Sequence, residues 1–370
     1  MASQLCVVAS SPGKIILFGE HGVHRQQPNI TTMVDMRTYC RVTVRTDDGY
    51  SFRTGDHNEA GTRSDMQAYK IRIDGLRAAQ ALDEIARVVA GDFFSTARYV
   101  LGSLYDKYSP VANGGLDIEW HSELPIGSGL GSGAAASSGM VRAAFHIWGY
   151  TPTPDEVITM AWQGDVIAHG GYGSSLDSST CVLGGLIRYT LADKASALPY
   201  TLSLPLVVGD TLIEHRTAQI NTHIRQWLQA YPEQIHIFRD MGYLLGHFLI
   251  ALERSDFAAL GNLLNLHQLL QEKMGTSTPE SEALIQAALR AGALGAKISG
   301  SGGGGIIIAL AQPGGQQAIV EAINAAGGHG YAVRTGGPGT RLEPGDVWNT
   351  LASPTAIPFE PQHENVRKQD

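Results

Sequence analysis

One stretch of the sequence, ELPIGSGLGSGAAASSG at residues 123–139, constrains the fold more than any other. Its centre, GSGLGSG (127–133), lies between a predicted strand at 114–124 and a predicted helix at 134–149. Glycine lets backbone N–H groups approach a ligand, and the start of a helix adds unpaired N–H groups and the positive end of the helix dipole. We therefore expect an α/β fold with an anion, most simply a phosphate group, bound at this loop.

The loop does not match the common nucleotide-binding signatures. A P-loop ends in Gly-Lys-Ser or Gly-Lys-Thr, which this chain lacks. A dinucleotide-binding fingerprint requires an acidic residue at a strand end about 20 positions later, and the candidate, Asp155, lies instead in a proline-rich helix start. The HRD and DFG motifs of protein kinases are also absent. Taken alone, the loop is equally consistent with a tight turn that binds no ligand.

Composition narrows the class of protein. The chain has 370 residues, enough for two domains, and is 43% hydrophobic and 17% charged, as in globular proteins. A formal net charge of -8 argues against a nucleic-acid-binding surface. Cys6, Cys40 and Cys181 are widely spaced, which argues against a disulfide framework or a zinc site and favours a reducing compartment. Without a signal-peptide pattern or a long apolar run, we expect a cytoplasmic protein with no membrane partner.

The order of predicted elements indicates two α/β domains and a tail. We place an N-terminal domain at 1–200, a C-terminal domain at 201–335 and a loosely docked, Pro/Gly-rich tail at 336–370. The first domain contains strands and helices in alternation, whereas the second begins with four amphipathic helices. The predicted strands are at 5–9, 14–19, 38–46, 114–124, 184–191, 294–300, 306–311 and 330–335, and the predicted helices are two within 75–105 and one each at 134–149, 151–170, 217–231, 235–253, 256–274, 278–293 and 314–327.

Two further segments accompany the glycine-rich loop. SSPGKIILFGEHGV (10–23) resembles the N-terminal signature of the GHMP kinases, the galacto-, homoserine, mevalonate and phosphomevalonate kinases. AKISGSGGGGIII (296–308) resembles their C-terminal glycine motif, and PIGSGLGSGAA (125–135) is similar to their phosphate loop. The three motifs stand in the family's order and spacing, so the chain is identified as a GHMP kinase over most of residues 8–335. Within the family it is most similar to the mevalonate kinases.

This resemblance implies the fold and the reaction. It implies a two-domain α/β (α+β) GHMP kinase fold, with an N-terminal mixed sheet covered by helices and a C-terminal, helix-rich, ferredoxin-like domain. It implies a phosphotransferase that uses ATP and Mg²⁺ to phosphorylate an alcohol group. The acceptor it implies is a small hydroxyl-bearing acid, mevalonate, phosphorylated at its 5-hydroxyl in isoprenoid precursor synthesis.

The resemblance also assigns roles to individual residues. Asp177 matches the catalytic aspartate, which accepts or orients the proton of the acceptor hydroxyl, and Lys14 matches the lysine that pairs with it. Asp165 matches the position of a magnesium-binding glutamate. Because Gly133 replaces the family's metal-binding serine, we expect Ser132 as the second metal ligand, with Ser128 or water as alternatives. The resemblance assigns phosphate binding to Gly127, Ser128, Gly129, Leu130, Gly131, Ser132 and Gly133, and substrate binding to Glu20, His21, His169, Thr217 and Gly302.

Four departures from the family pattern affect the metal and the acceptor. Gly133 stands where the family has a second serine, and the segment 169–178 is one residue longer than usual. His215 stands where mevalonate kinases often have arginine. The segment after Glu20 introduces polar residues where small and apolar ones are usual, namely His24, Arg25 and Asn29.

These departures leave alternatives open. The longer 169–178 segment is consistent with a related kinase that acts on another hydroxyl of mevalonate, or on another small acid or sugar. Gly133 is consistent with an ATP-binding sensor that has lost efficient transfer, although both Lys14 and Asp177 are retained. A decarboxylase of the same superfamily fits less well, because its phosphate loop usually has a different serine-rich pattern. A homodimer is also expected from the resemblance.

Overall fold

The computed structural model describes residues 5–108, 114–125, 127–171, 173–200, 202–213 and 217–351. Within these ranges the chain forms two β-sheets, each covered by helices. None of the described helices has the length and hydrophobicity that a membrane span requires. The mixed α/β class expected from the sequence is confirmed.

The larger sheet has eight strands and contains the N-terminal half of the chain. Its main path runs β12-β1-β2-β5-β3-β4, with β6 paired to β2 and β7 paired to β6. All its pairs are antiparallel except β3 with β5. The strands are β1 (Cys6–Phe18), β2 (Asn29–Val44), β3 (Gly49–Thr54), β4 (His57–Thr62), β5 (Leu116–Ser122), β6 (Leu186–Thr190), β7 (Lys194–Ala197) and β12 (Arg341–Glu343).

Six helices accompany this sheet. The prediction of two helices within 75–105 is corrected, because that region belongs to three, and the first begins at 63 after a Thr62–Asp65 capping box. That first helix has two buried residues only, so its weak apolar periodicity concealed its start. The helices are α1 (Arg63–Ala78), α2 (Leu82–Ala90), α3 (Ser95–Lys107), α4 (Ser132–Ile147), α5 (Pro154–Ala168) and α6 (Leu176–Leu183).

Small residues let α4 and α5 pack closely over the large sheet. A Cβ added at Gly139 of α4 would lie 3.3 Å from the Cys40 Cβ on β2. A Cβ added at Gly164 of α5 would lie 2.8 Å from the Ser137 hydroxyl of α4. Because few real Cβ atoms approach so closely, glycine brings α4 near the sheet and α5 near α4, and Asp165 follows directly after the second of these contacts.

The smaller sheet has four antiparallel strands in the order β11-β8-β10-β9. Its first strand, β8, was not predicted, while the four amphipathic helices after it are confirmed. The strands are β8 (Pro205–Asp210), β9 (Gly295–Ser299), β10 (Ile306–Leu310) and β11 (His329–Arg334), and the helices are α7 (Thr217–Ala230), α8 (His236–Glu253), α9 (Phe257–Lys273), α10 (Pro279–Arg290), α11 (Gln316–Ala325) and α12 (Val347–Thr350). Two 3₁₀ turns, Val23–Arg25 and Pro232–Ile235, complete the described elements.

The segment after residue 335 is not loosely docked where the structure describes it. β12 pairs with β1, with Arg341 opposite Ser10. The buried Arg37 donates hydrogen bonds to the carbonyl oxygens of Pro338 (3.0 Å) and Gly339 (2.7 Å). The predicted loose tail is therefore wrong for 336–351, because these contacts attach it to the large sheet, and residues 352–370 lie outside the described ranges.

One hydrophobic cluster joins the two sheets. It combines Ile15 and Phe18 of β1 with Phe248 of α8 and Ile308 of β10, all of them buried. The rings of Phe18 and Phe248 are 5.1 Å apart between centroids. This shared core fixes the end of β1 against the C-terminal half of the chain.

Candidate active site

The glycine-rich loop adopts a backbone that only glycine accommodates readily. Gly127, Gly129 and Gly131 have φ values of 75°, 92° and 74°. The loop ends at Ser132, the first residue of α4, and no side chain caps this helix. The first N–H groups of α4 are therefore available to an anion at the positive end of the helix dipole.

The loop is fastened to β1 directly beside Lys14. The Lys14 N–H donates a 2.8 Å hydrogen bond to the Leu130 carbonyl oxygen, and the Leu130 side chain is buried. A Cβ added at Gly131 would lie 2.7 Å from the Lys14 Cγ, so glycine is required for the lysine to pass under the loop. The same segment thus places backbone N–H groups and a cation side by side.

The residues of the loop differ in the hydrogen bonds that their side chains make and in the space around them. The Ser128 hydroxyl donates to the Pro125 carbonyl oxygen at 3.0 Å, so its proton is used within the loop. Ser132 makes no side-chain hydrogen bond to the described residues and is partly exposed. A Cβ added at Gly133 meets no atom within 4 Å, so packing does not require glycine there. Ser132 is the hydroxyl best placed for a ligand.

Lys14 and Asp177 form an ion pair, as the sequence predicted. The Lys14 Nζ lies 3.2 Å from the Asp177 Oδ2, and the exposed fractions of the two side chains are 7% and 27%. Asp177 lies in the first turn of α6, where the helix dipole favours a negative charge. The carboxylate is therefore paired with a cation while it remains open to solvent on one side.

A second carboxylate, Asp165, lies behind this pair. It is buried on α5 and accepts a hydrogen bond from the Ser178 hydroxyl, a partner that the sequence did not reveal. Burial, and then the charge of Asp177, raise the pKa of Asp165 to about 7. Two carboxyl groups, those of Asp165 and Asp177, therefore lie near the positive charge of Lys14.

This arrangement fits a hard divalent cation. The described residues contain no group of three or more His, Cys, Asp or Glu side chains that could hold a metal. Mg²⁺ usually takes one or two carboxylates and completes its coordination with phosphate oxygens and water. Asp165 supplies a buried carboxylate, and Ser132 supplies a hydroxyl. These ligand types suit Mg²⁺ that is bound together with a phosphate.

Glu20 faces a buried lysine rather than an open pocket, and its predicted contact with the acceptor stays a prediction. Its side chain is 1% exposed and accepts a hydrogen bond from the buried Lys297 on β9. His267 of α9 lies next to the carboxylate, with its Nε2 atom 3.4 Å from Oε2, and accepts the Gly19 N–H at 3.1 Å. In the structure Glu20 therefore joins the two halves of the molecule through Lys297.

His21, by contrast, reaches the other glycine motif. Its backbone has a φ of 60°, and its Nε2–H donates to the Ser301 carbonyl oxygen at 2.9 Å. Burial lowers the pKa of His21 to about 4, so the ring is neutral near pH 7. Gly302 is buried, and a Cβ there would overlap the Thr276 carbonyl oxygen. Gly302 therefore shapes this turn, while Ser301 makes the contact to His21.

Of the last two predicted substrate residues, the structure describes His169 in full and Thr217 by its backbone alone. His169 follows the end of α5, where its exposed ring has Nδ1 2.7 Å from the Asp165 carbonyl oxygen. Thr217 is the first residue of α7, and its side chain lies outside the described residues. The structure thus brings Lys14, Asp165 and Asp177 together beside the 127–133 loop.

Comparisons with known proteins agree with this geometry. Residues 95–185 match the family model for the GHMP kinases N terminal domain, and residues 248–329 match the model for GHMP kinases C terminal. The mevalonate kinase of Thermococcus sibiricus is 32% identical over 347 residues, an alignment that covers 91% of this chain and 98% of the relative.

Solved structures show the same fold. The mevalonate kinase of Methanococcus jannaschii superposes with a TM-score of 0.75 at 20% identity, covering 90% of this chain and 99% of the other. The L. major mevalonate kinase in complex with R-mevalonate gives a TM-score of 0.72 at 25% identity, covering 90% and 97% of the two chains. The two-sheet arrangement is therefore that of a known kinase fold.

Proposed function

The chain belongs to the mevalonate kinase family of the GHMP kinases, and we propose that it transfers the γ-phosphoryl group of ATP to the 5-hydroxyl of R-mevalonate. The family makes it a phosphotransferase that acts on an alcohol group and uses ATP as a substrate. A relative of this fold was solved with R-mevalonate bound. The observation that carries the proposal is the Lys14–Asp177 pair, 3.2 Å apart beside an uncapped helix start.

Each part of this arrangement has a role in phosphoryl transfer. The N–H groups of the 127–133 loop and of the start of α4 bind the phosphate oxygens of ATP, where negative charge accumulates. Asp177 accepts or orients the proton of the attacking hydroxyl, so that its oxygen points in line with the γ-phosphorus. Lys14 pairs with Asp177 and stabilises the charge that develops on the transferring group.

We propose that Mg²⁺ binds with the nucleotide at Asp165 and Ser132. The metal neutralises phosphate charge when it is bound. The hydrogen bond from Ser178 fixes the orientation of the Asp165 carboxylate, so this serine positions the metal ligand. Gly133 supplies no hydroxyl to this site, in contrast to the serine usual in the family, so Asp165 and Ser132 are the side chains that would hold the metal.

An acceptor assay tests the proposal. Purified protein with ATP, Mg²⁺ and R-mevalonate should release ADP and form a phosphate ester on the primary hydroxyl, detected by phosphorus NMR. An ester on the tertiary hydroxyl, or turnover of another acid or sugar but not mevalonate, would replace the proposed acceptor. Tight ATP binding with no ADP formed from any acceptor would contradict catalysis and support the sensor alternative.

Two expectations from the sequence concern the protein in the cell rather than the site. A homodimer and a cytoplasmic location both stay predictions. Neither is needed for the proposed chemistry, because Lys14, Asp165, Asp177 and the 127–133 loop belong to one chain.

A further inference from the structure

Arg25 is held in place beside His21, a residue that the sequence assigns to substrate binding. It ends the 3₁₀ turn Val23–Arg25, which follows His21 directly. Its Nη1 donates to the His21 carbonyl oxygen at 2.9 Å, and its guanidinium carbon lies 4.2 Å from the centre of the Phe238 ring on α8. The side chain is thus fixed by a hydrogen bond and by stacking on an aromatic ring.

This guanidinium has no anionic partner in the described part of the chain. No described Asp or Glu lies within ion-pair distance of Arg25, whereas Arg41, Arg45 and Arg98 each pair with a carboxylate. Arg25 is also partly buried, and burial lowers its pKa. A cation that has lost part of its water and lacks a counter-ion favours the binding of an anion.

The position of the turn connects Arg25 with the reacting groups. Val23 packs in one small cluster with Leu176, the residue before Asp177. His21, whose carbonyl oxygen holds Arg25, contacts the second glycine motif through Ser301. The 3₁₀ turn therefore contacts both the start of the helix that carries Asp177 and the C-terminal half of the molecule.

We propose that Arg25 binds the carboxylate of the acceptor acid and so selects anionic acceptors. The proposal rests on the function proposed above, because that acceptor has a hydroxyl at one end and a carboxylate at the other. The hydroxyl end lies at Asp177, and the free edge of the guanidinium receives the carboxylate through paired N–H···O hydrogen bonds. Phe238 and the His21 carbonyl hold the guanidinium ready, which reduces the ordering cost of binding.

The test compares two acceptors and three variants. R-mevalonate has the carboxylate, and 3-methylpentane-1,3,5-triol replaces it with a neutral hydroxymethyl group while keeping the primary hydroxyl. We would measure kcat and KM for both acceptors, and KM for ATP, in the wild type and in Arg25→Met, Arg25→Lys and Arg239→Met. Arg239, exposed on α8 beside Phe238, is the matched control for loss of a nearby positive charge.

Arg25→Met should raise the KM for mevalonate at least about tenfold, the usual range for one charge-assisted hydrogen bond. Its KM for ATP and its kcat/KM for the triol should stay within about twofold, because neither involves the carboxylate. Arg25→Lys should fall between, since it keeps the charge but not the paired geometry. Arg239→Met should match the wild type.

An unchanged KM for mevalonate in Arg25→Met, or an equal loss on both acceptors, would overturn the assignment of Arg25. If Arg25→Met does not fold, an Arg25→Lys variant with wild-type values for both acceptors would overturn it equally. Failure of the proposed function gives a different result, because the wild-type enzyme would then not phosphorylate mevalonate at all.

Discussion

Two lysine–carboxylate pairs lie at the two ends of one short segment, residues 14–20, and they differ in burial. Lys14 and Asp177 both belong to the N-terminal half of the chain, and the aspartate is 27% exposed. Lys297 and Glu20 join the two halves across 277 positions of sequence, and their side chains are 0% and 1% exposed. The same chemical pair therefore serves catalysis where a ligand can reach it and joins the two halves where none can.

The surroundings of the two pairs explain this difference. Burial raises the pKa of Glu20 and lowers the pKa of Lys297, so each charge depends on the other. No second carboxylate is described beside that pair. At the pair of Lys14 and Asp177, a second carboxyl group lies nearby. Burial and the charge of Asp177 raise the pKa of this group, Asp165, so the ionised form of Asp165 is disfavoured unless another cation binds. We infer that the charges of Glu20 and Lys297 balance each other, whereas the site of Lys14 and Asp177 can accept a further cation together with a phosphate.

The largest expected effect comes from breaking the pair of Glu20 and Lys297. Lys297→Met leaves the buried Glu20 without its cation and should lower the free energy of unfolding by about 3–5 kcal/mol. The double variant Glu20→Gln/Lys297→Met removes both charges and should recover most of that loss. Denaturant unfolding measures both. A loss below about 1 kcal/mol in the single variant would show that the pair does not join the halves.

The next effect comes from displacing Lys14 without removing it. In Gly131→Ser the new Cβ meets the Lys14 side chain at 2.7 Å, and φ at 74° is unfavourable for serine. We expect kcat to fall by about ten- to a hundredfold, since a displacement of about 1 Å can have that effect. Gly133→Ser is the matched control, because its Cβ meets nothing within 4 Å.

These two glycine variants should therefore separate in steady-state kinetics. Gly133→Ser should fold normally and keep its kcat, and a lower Mg²⁺ requirement would follow if the added hydroxyl joins the metal site. Equal losses in both variants would indicate that the loop tolerates no side chain, which would contradict the specific role of Gly131 in seating Lys14.

The smallest expected effect concerns the second carboxylate. Asp165→Asn should raise the Mg²⁺ concentration for half-maximal rate about tenfold, because one ligand charge is lost. Asp155→Asn in the first turn of the same helix changes an exposed carboxylate and serves as the control. An Mg²⁺ titration at fixed ATP measures both, and an unchanged requirement in Asp165→Asn would remove Asp165 from the proposed metal site.

The sequence predicted the helices with regular apolar spacing well and the strands less well: β1 was predicted as two strands, and only the second half of β2 was predicted. Helices α7 to α10 have apolar residues at helical spacing, and their periodicity is sufficient to identify them. Strand β8 has only six residues, and its partners β10 and β11 follow about a hundred residues later, so only the assembled sheet reveals it. Strand β12, three residues in a Pro/Gly-rich segment, is likewise stabilised by pairing with β1.

The residues of the candidate site also divide into those that the sequence predicted and those that it missed. Lys14, Asp177 and the 127–133 loop were predicted because each lies in a recognisable motif. The hydrogen bond of Ser178 to Asp165 depends on a turn geometry within a serine-rich segment and was missed. Lys297 was missed as well, although a lysine within the apolar strand at 294–300 is a usable signal, since a buried lysine requires a carboxylate partner.

The most direct test compares Asp177→Asn with Glu20→Gln in rate and in stability. Asp177→Asn should lower kcat about a thousandfold, within the range for loss of a general base, and change the free energy of unfolding by less than about 1 kcal/mol. Glu20→Gln should do the reverse, lowering that free energy by about 3 kcal/mol or more while the folded enzyme keeps its kcat within about tenfold. Near wild-type turnover in Asp177→Asn would contradict the assignment of catalysis to the pair of Lys14 and Asp177.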